Sequence, residues 1–441
     1  METAGRIAGA RAGARYGFTA PVTVDFGAVM TRVRRVIADV EQDESPELLS
    51  KEGIDLVQGW ASFTSPQSID VDGQRLTASR FVLATGAHAA VPSIPGLKET
   101  AYLDNKSIFA LTDLPAHLLV LGGGAIGCEL AQAFRRLGSQ VTVVEGAPTL
   151  LIKEEPEAAA VLTAALTGER VTVRTGAAVE RVSNGADGPQ LHLSDGTTVT
   201  GTHLLVAVGR TPATAGMSLE VAGVERGPRQ AIGVDPYLRT SAPHVFAIGD
   251  CATPLQFTHV ADEQGRLAAH NAFHSRARPG VVGGQRAFNA RVIPWATFTD
   301  PEIGRVGLSE QQAHARYGEA ARVSLVPLAE TDRGRAAGET AGFVKLIAAP
   351  RPVLKGKPFM EVVGMTAVGP AGGELIAEAA LAMRTRAFAG RLAQTVHAYP
   401  SHALATRVAA SRLFGTYGGK TARPAREHPD EAELRSVLGS G

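Results

Sequence analysis

The sequence predicts an α/β protein built on doubly wound sheets, followed by a separate C-terminal α+β domain. Three observations carry that expectation. Strand-like and helix-like patterns alternate from residue 78 to about 273, and such alternation buries a parallel sheet under helices. The run LLVLGGGAIGCELAQAF joins an apolar strand to a helix through a glycine-rich turn. Beyond residue 287 the texture changes to hairpin-like strands and a helical end.

In chain order, the opening METAGRIAGARAGARYGF has three arginines, small residues and no central apolar run, so it reads as an amphipathic helix and not as a secretory signal. Phe81 to Ala84 reads as a buried strand ending in a Thr-Gly turn. Residues 117 to 145 read as strand, turn, helix, strand. A helix from Glu154 to Leu166 and a strand from Val171 to Arg174 continue the pattern. QLHLSDGTTVTG is a hairpin turning at Asp195-Gly196. Residues 203 to 209 form an apolar strand ending at Gly209-Arg210, and HVFAIGD repeats the design of a strand that ends in a polar turn. SRARPGVVGGQRAF, 274 to 287, reads as a linker. Strands then fall within Val292 to Gly307, Val344 to Ile347 and Val362 to Val368, followed by a helix over 372 to 385 and the stretch 388 to 414. From Gly418 the composition turns to Gly, Pro, Arg and Glu, which predicts a flexible tail.

The 441 residues suit two or three domains. Lys plus Arg is 44 against 43 for Asp plus Glu, a balance that gives no footprint for nucleic acid or an anionic membrane surface. No segment approaches 18 to 20 uninterrupted apolar residues, so no membrane span is expected and the reading is a cytoplasmic protein. Only Cys128 and Cys251 occur, far apart and outside any CxxC or CxxxxC pair. They read as inert packing thiols, and no metal site follows from Cys and His spacing.

The glycine turn carries the chemistry. Gly122, Gly124 and Gly127 fit G-x-G-x-x-G between strand and helix. Gly122 makes the tight turn, Gly124 has no side chain to block a pyrophosphate, and Gly127 lets helix and strand pack closely. The first helical residues, Ala125 and Ile126, belong to a terminus whose free N–H groups and positive dipole favour phosphate. The next strand, VTVVE, ends in Glu145, whose carboxylate suits the ribose hydroxyls of NAD and repels a 2′-phosphate. Gly146 and Ala147 offer no basic side chain, so NADH is favoured over NADPH.

With these residues in hand, the chain resembles the flavoprotein disulfide reductases, the family of glutathione reductase, dihydrolipoamide dehydrogenase and mercuric reductase. The resemblance rests on ATG at 84 to 86, GGGAIGCE at 122 to 129, VGRTP at 208 to 212, HVFAIGDC at 244 to 251, FTDPEIGRVG at 298 to 307 and AGGELI at 371 to 376. AVPSIPGLKET, LAQAFRRLGSQVTV and GDCATPLQF are similar to the mercuric-reductase branch. The resemblance implies FAD and NAD(P)H as cofactors, a small-molecule or metal-ion substrate and a homodimer through the C-terminal domain. It places Gly249 and Asp250 at the flavin's ribityl chain, Thr85 and Gly86 at the crossover of the flavin domain, and Gly209 among the cofactor-binding residues. It aims the helix starting near His259-Val260 at the isoalloxazine, where a helix dipole stabilises the anionic reduced ring. Glu129 would lie near the nicotinamide.

Three departures qualify it. Nothing before residue 78 resembles the family's first GxGxxG or its CxxxxC disulfide, which implies weakened flavin binding and a misplaced start or a degenerate gene. TVHAYPSHALATR puts Tyr399 and Leu404 where the family has the His and Glu of H-P-x-x-x-E. A tyrosine there is similar to mercuric reductase, so Tyr399 is the candidate catalytic residue, with simple packing at a dimer interface as the alternative. His397 and His402 read as surface or interface histidines. REHPDEAELRSVLGSG, the end of the chain, has no thiol, and soft Hg(II) wants sulfur.

The expected architecture is therefore two doubly wound, Rossmann-like domains and an α+β dimerisation domain. A discontinuous FAD domain would span 1–110 and 233–275, an NAD(P) domain 111–232, the dimerisation domain 286–417 and the tail 418–441. The expected function is an FAD-dependent NAD(P)H oxidoreductase. The alternatives are a flavoprotein passing electrons to a quinone or other small acceptor without a disulfide, and an inactive nucleotide-binding remnant.

Overall fold

A computed structural model describes residues 1–274, 284–353 and 357–439. The chain forms two compact units, Met1–Val29, Val91–Val208 and Arg291–Gly441 in one, Met30–Ala90 and Gly209–Ala290 in the other.

The first unit holds a four-stranded parallel sheet in the order His203–Val206, His117–Leu121, Gln140–Glu145, Thr172–Thr175. The strands His203–Val206, His117–Leu121 and Gln140–Glu145 are largely apolar and buried, as strands covered on both faces must be, whereas Thr172–Thr175 at the edge is polar. Leu119, Leu121, Val144, Leu204 and Val206 form the core beneath a three-stranded hairpin layer, Val179–Gly185, Gly188–Leu193 and Thr198–Thr200. The helix Ala125–Leu137 returns from the first strand to the second, and Pro156–Gly168 returns from the second to the third. Asp195-Gly196 makes the hairpin turn, with Gly196 at φ 80°.

The C-terminal part of this unit is a six-stranded antiparallel sheet in the order Pro294–Thr297, Glu302–Gly307, Lys357–Gly369, Phe343–Val353, Arg322–Pro327, Arg423–Pro424. Helices Ala377–Arg384 and Leu404–Arg412 cover it, burying Val306, Leu346, Met365, Met383 and Ala409. The helix expected over 372 to 385 is broken at Ile376 into two.

Several expectations are corrected. The stretch from Gly418 is no flexible tail: it supplies the sixth strand and a helix, Glu431–Val437, and buries Ala422, Ala425 and Val437. The helix Glu2–Arg11 and the turn Ala12–Tyr16 group with the nucleotide sheet instead of a flavin domain. Arg11 donates to the carbonyl of Arg136 at 2.7 Å, and Phe26 packs on Phe134. Residues 91–110 also join this unit, through the bonds of Leu103 and Val206. Residues 209–232 leave it, because Arg210–Pro212 pairs with Ala87–Ala89 in the second unit.

That second unit is less regular than a doubly wound domain. Its described parallel pairing is Val245–Ala247 with Phe81–Leu83, beside an antiparallel sheet of Ala61–Ser65, Ser68–Val71 and Gln74–Thr77. Those three strands are joined by tight turns, which cannot make the long crossover a parallel pair requires. The helix Thr258–Phe273 follows the second parallel strand. Of the expected linker, residues 275–283 lie outside the described residues, while Asn271 binds both the N–H and the carbonyl of Arg286 at 2.8 and 2.9 Å.

One buried network ties the nucleotide part of the first unit to its C-terminal sheet. The ammonium of Lys345, 1% exposed, donates to Glu155 at 3.2 Å, Glu157 at 2.7 Å and Glu310 at 3.0 Å. Arg423 then bridges Glu310 and Glu433. Removing the cation leaves three carboxylates without their shared partner. Lys345→Ala is expected to cost about 3–5 kcal/mol of unfolding free energy, read from chemical denaturation. A midpoint equal to the parent's would show that the network does not hold the halves together.

Candidate nucleotide site and the surrounding functional residues

Gly122 adopts φ 112°, a left-handed conformation that glycine tolerates. A Cβ there would lie 2.5 Å from the carbonyl oxygen of Ala207. At Gly127 a Cβ would come 2.0 Å from the carbonyl oxygen of Gly122, so only hydrogen lets the helix start press onto the turn. Gly124 is different: a Cβ would meet nothing within 4 Å. It faces open space at the helix start, where no side chain caps the N-terminus. The uncapped N–H groups, together with the helix dipole, form a seat for an anion. Ala125 is exposed and Ile126 half-buried beside it. Gly123, which the sequence motif leaves unassigned, is equally constrained. A Cβ there would lie 2.5 Å from Leu150 and 3.0 Å from the Cβ of Glu145.

Glu145 ends the second strand. One carboxylate oxygen accepts from the N–H of Gly123 at 2.6 Å and the other from that of Ala147 at 2.7 Å. The side chain thus holds the glycine turn as well as placing a negative charge beside it, and each oxygen keeps a lone pair for a further donor. Glu129, one turn into the helix, accepts from the N–H of Phe298 at 2.7 Å. Burial pushes its carboxyl above the usual range, against the opposing pull of that N–H. The neighbouring Gln132 and Arg136 bind the backbone and carboxylate of Asp300 at 2.7 and 2.8 Å. The segment 298–300 is therefore fastened to the nucleotide helix, a link its sequence motif did not announce.

Cys128 and Cys251 are both fully buried. The thiol of Cys128 contacts the carbonyl of Gly123, and burial with the nearby Glu129 and Glu145 pushes it up to about 12. Cys251 lies against the carbonyl of Ile248. Both have the environment of inert packing thiols.

In the second unit, Gly249 has φ 65°, and its N–H donates to the side chain of Gln264 at 2.8 Å. Asp250 pairs with Arg210 at 3.0 Å, and Arg210 also donates to the carbonyl of Ala87 at 2.8 Å. Arg210 belongs to VGRTP, a motif whose sequence alone does not show this pairing. Thr85 is exposed, Gly86 has φ 69° and accepts from Ala213, and Gly209 has φ 132° and accepts from Ala90. His259 stacks on Phe257 at the start of its helix and Val260 is buried. The structure thus gathers Thr85, Gly86, Gly209, Gly249, Asp250, His259 and Val260 into one unit, and Gly122, Gly124, Ala125, Ile126, Gly127, Glu129 and Glu145 into the other.

Tyr399 is exposed in the C-terminal part, and its hydroxyl donates to Asp332 at 2.9 Å. That carboxylate holds the phenol above its ordinary range. The two flanking histidines are not surface side chains. His397 is 7% exposed and lies 3.0 Å from Glu378, and His402 is 13% exposed and 3.5 Å from Glu339. No sequence signal marked either glutamate, because each comes from a different helix or loop.

The geometry defines a dinucleotide-binding α/β protein with an antiparallel sheet domain attached. The family comparisons agree. The model for pyridine nucleotide-disulphide oxidoreductases matches residues 11–265, and that for the dimerisation domain of the same family matches 293–410. The chain belongs to the pyridine nucleotide-disulphide oxidoreductase family. Members of this family use FAD and NAD(P)H.

Mercuric reductase from Bacillus cereus is 34% identical over 86% of this chain and 58% of its own length. Mercuric reductase from Streptomyces lividans is 34% identical over 91% of this chain and 83% of its own length. The chain spans about six-tenths of the length of several mercuric reductases that it matches. Among solved structures, LpdA from Mycobacterium tuberculosis has a TM-score of 0.81 at 30% identity, covering 94% of this chain and 88% of that one. The HOCl-induced flavoprotein disulfide reductase RclA from Escherichia coli has a TM-score of 0.77 at 28% identity, covering 88% and 86%. Among the described residues no helix is long and apolar enough to cross a membrane.

The glycine geometry separates binding from folding. Gly124→Ala adds a methyl into open space, so circular dichroism and melting should match the parent while NADH affinity falls at least tenfold in a fluorescence titration. Parent-like affinity would remove the pyrophosphate from this turn. Alkylation gives a second test: iodoacetamide at pH 8 should leave Cys128 and Cys251 unmodified in the native protein, read by peptide mass. Rapid labelling of either would contradict the buried-thiol assignment.

Proposed function

We propose that the chain carries the nucleotide-handling part of an FAD-dependent NAD(P)H oxidoreductase resembling mercury(II) reductase and dihydrolipoamide dehydrogenase, acting as a homodimer. The observation that carries this reading is the glycine turn. Gly122 and Gly127 are sterically required, and Gly124 is left open at an uncapped helix start. The pyrophosphate of NAD(P)H would take the N–H groups around Gly124, Ala125 and Ile126, and Glu145 would meet the adenosine ribose while repelling a 2′-phosphate. Glu129 would line the nicotinamide end, its burial keeping it apart from bulk water. In the second unit Gly249, Asp250 and the helix opening at His259 and Val260 would face the flavin. A Cβ at Gly249 would sit 3.1 Å from Ala261, which leaves hydrogen the only comfortable occupant. A flavin held there would supply the hydride-accepting chemistry, with NAD(P)H held at the glycine turn as its donor.

The two thiols of this chain do not suit a relay to a disulfide or a soft metal ion, since both are buried and the Cys128 thiol is held almost entirely protonated at neutral pH. That favours, for the acceptor step, a small acceptor such as a quinone or dye over chemistry on Cys128 or Cys251. Tyr399, at the position the resemblance matches to the family's acid–base residue, would stand near the acceptor, with its hydroxyl donating to Asp332.

Purified protein, checked for flavin by its visible spectrum, should reduce a dye acceptor faster with NADH than with NADPH. Glu145→Ala should narrow that preference at least fivefold in kcat/KM. Absence of flavin together with no dye reduction would sink the oxidoreductase reading and leave a nucleotide-binding protein. Equal use of both nucleotides by the parent would sink the role given to Glu145.

A further inference from the structure

Glu129, Gln132 and Arg136 are spaced i, i+3 and i+7 along the helix Ala125–Leu137, so they lie on one face of it. All three grip the same short segment. Glu129 accepts from the N–H of Phe298 at 2.7 Å. Gln132, fully buried, accepts from the N–H of Asp300 at 2.8 Å and donates to its carbonyl at 2.7 Å. Arg136 donates to the Asp300 carboxylate at 2.8 Å and is braced by Glu169 at 2.6 Å. Residue 300 is thus held twice through its backbone and once through its side chain, which leaves the N–H of residue 298 aimed at Glu129. Glu129, one turn into the helix, is the nearest of the three in sequence to the open Gly124. Burial pushes its carboxyl up, while the Phe298 N–H and the α-ammonium of Met1 draw it down. An N–H donated to a carboxylate favours the charged form. The adjacent Cys128 thiol is protonated at neutral pH and adds no charge there.

We propose that Gln132 and Arg136 are positioning residues that fix the Glu129 carboxylate through segment 298–300, and that this carboxylate makes the site favour oxidised over reduced nicotinamide dinucleotide. This rests on the reading above that the nicotinamide end lies at Glu129. The oxidised ring carries a positive charge that the reduced ring lacks. A fixed negative charge in a part-buried setting attracts the first and is indifferent to the second. The glycine turn supplies the affinity common to both.

The test is titration of the full chain with NAD⁺ and ADP-ribose by calorimetry and with NADH by fluorescence. ADP-ribose lacks the nicotinamide and reads the glycine turn alone. Glu129→Gln keeps an acceptor for the Phe298 N–H but no charge. It should weaken NAD⁺ about fivefold or more, with NADH and ADP-ribose within about twofold of the parent. Gln132→Met should shift the ratio of NAD⁺ to NADH affinity the same way. Asp300→Ala removes a largely exposed side chain, so it threatens folding less, and should act in the same direction. In the parent, NAD⁺ affinity relative to ADP-ribose should fall as the pH is lowered through the Glu129 carboxyl. In Gln132→Met that fall should begin at a higher pH, because the N–H that favours the carboxylate is no longer held in place. Equal weakening of all three ligands by Gln132→Met and Asp300→Ala would make the hold merely structural and overturn the proposal. So would parent-like NAD⁺ affinity in Glu129→Gln, and either result with ADP-ribose still bound leaves the glycine-turn reading standing. Binding of none of the three ligands by the parent would sink that reading together with this one.

Discussion

The ammonium of Lys345 is the interaction on which the first unit depends. It sits on a strand of the antiparallel sheet, yet two of its three carboxylate partners, Glu155 and Glu157, open the second helix of the nucleotide fold. Taking such a charge out of water costs several kcal/mol, and only multiple short contacts offset it. The network counts four carboxylates, Glu155, Glu157, Glu310 and Glu433, against Lys345 and Arg423. Burial and the neighbouring Glu155 push the carboxyl of Glu157 up, against the pull of Lys345. Glu310, flanked by both cations, is held down instead. The two neighbouring acids thus have opposite tendencies, set by burial at Glu157 and by two flanking cations at Glu310.

The same logic of placement rules the glycine turn. Gly122, Gly123 and Gly127 are glycines because a side chain would strike the backbone or Leu150, whereas Gly124 is glycine with nothing in the way. A fold-driven pattern would not need hydrogen at the open position. An approaching ligand would. Glu145 does double work here, since its two hydrogen bonds fix Gly123 and Ala147 and so preset the turn before any nucleotide arrives. Preorganised donors lose less entropy on binding than mobile ones.

What could be read in the sequence was local. The turn, the strand ending at Glu145 and the Asp195-Gly196 hairpin depend on residues within a few positions of each other. The ion network was hidden because its members lie at 155, 157, 310, 345, 423 and 433, and a lone lysine in a strand reads as an exposed residue. The end of the chain misled for a related reason. Its composition is that of a solvated tail, but Arg423 finds two carboxylates and Val437 finds a core. Charged residues are not disordered when partners from distant elements await them. The glutamates beside His397 and His402 were out of the sequence's reach likewise, since they lie on other elements.

Those histidines bear on how protons could move near Tyr399. His397 is engaged on both sides, Nδ1 by the carbonyl of Thr395 and Nε2 by Glu378, so neither nitrogen is available to a substrate. Burial pushes His402 below the ordinary histidine range, with Arg333 adding to the effect and Glu339 opposing it. A neutral imidazole at 3.5 Å from its carboxylate is poorly placed to act as a general acid. Tyr399 is the opposite case: exposed, with its proton directed at Asp332. A proton given up by that hydroxyl would leave a phenolate beside a carboxylate, which is costly and explains why the phenol holds its proton more firmly than usual. The same cost makes Tyr399 a reluctant proton source, its one hydroxyl proton being engaged by Asp332.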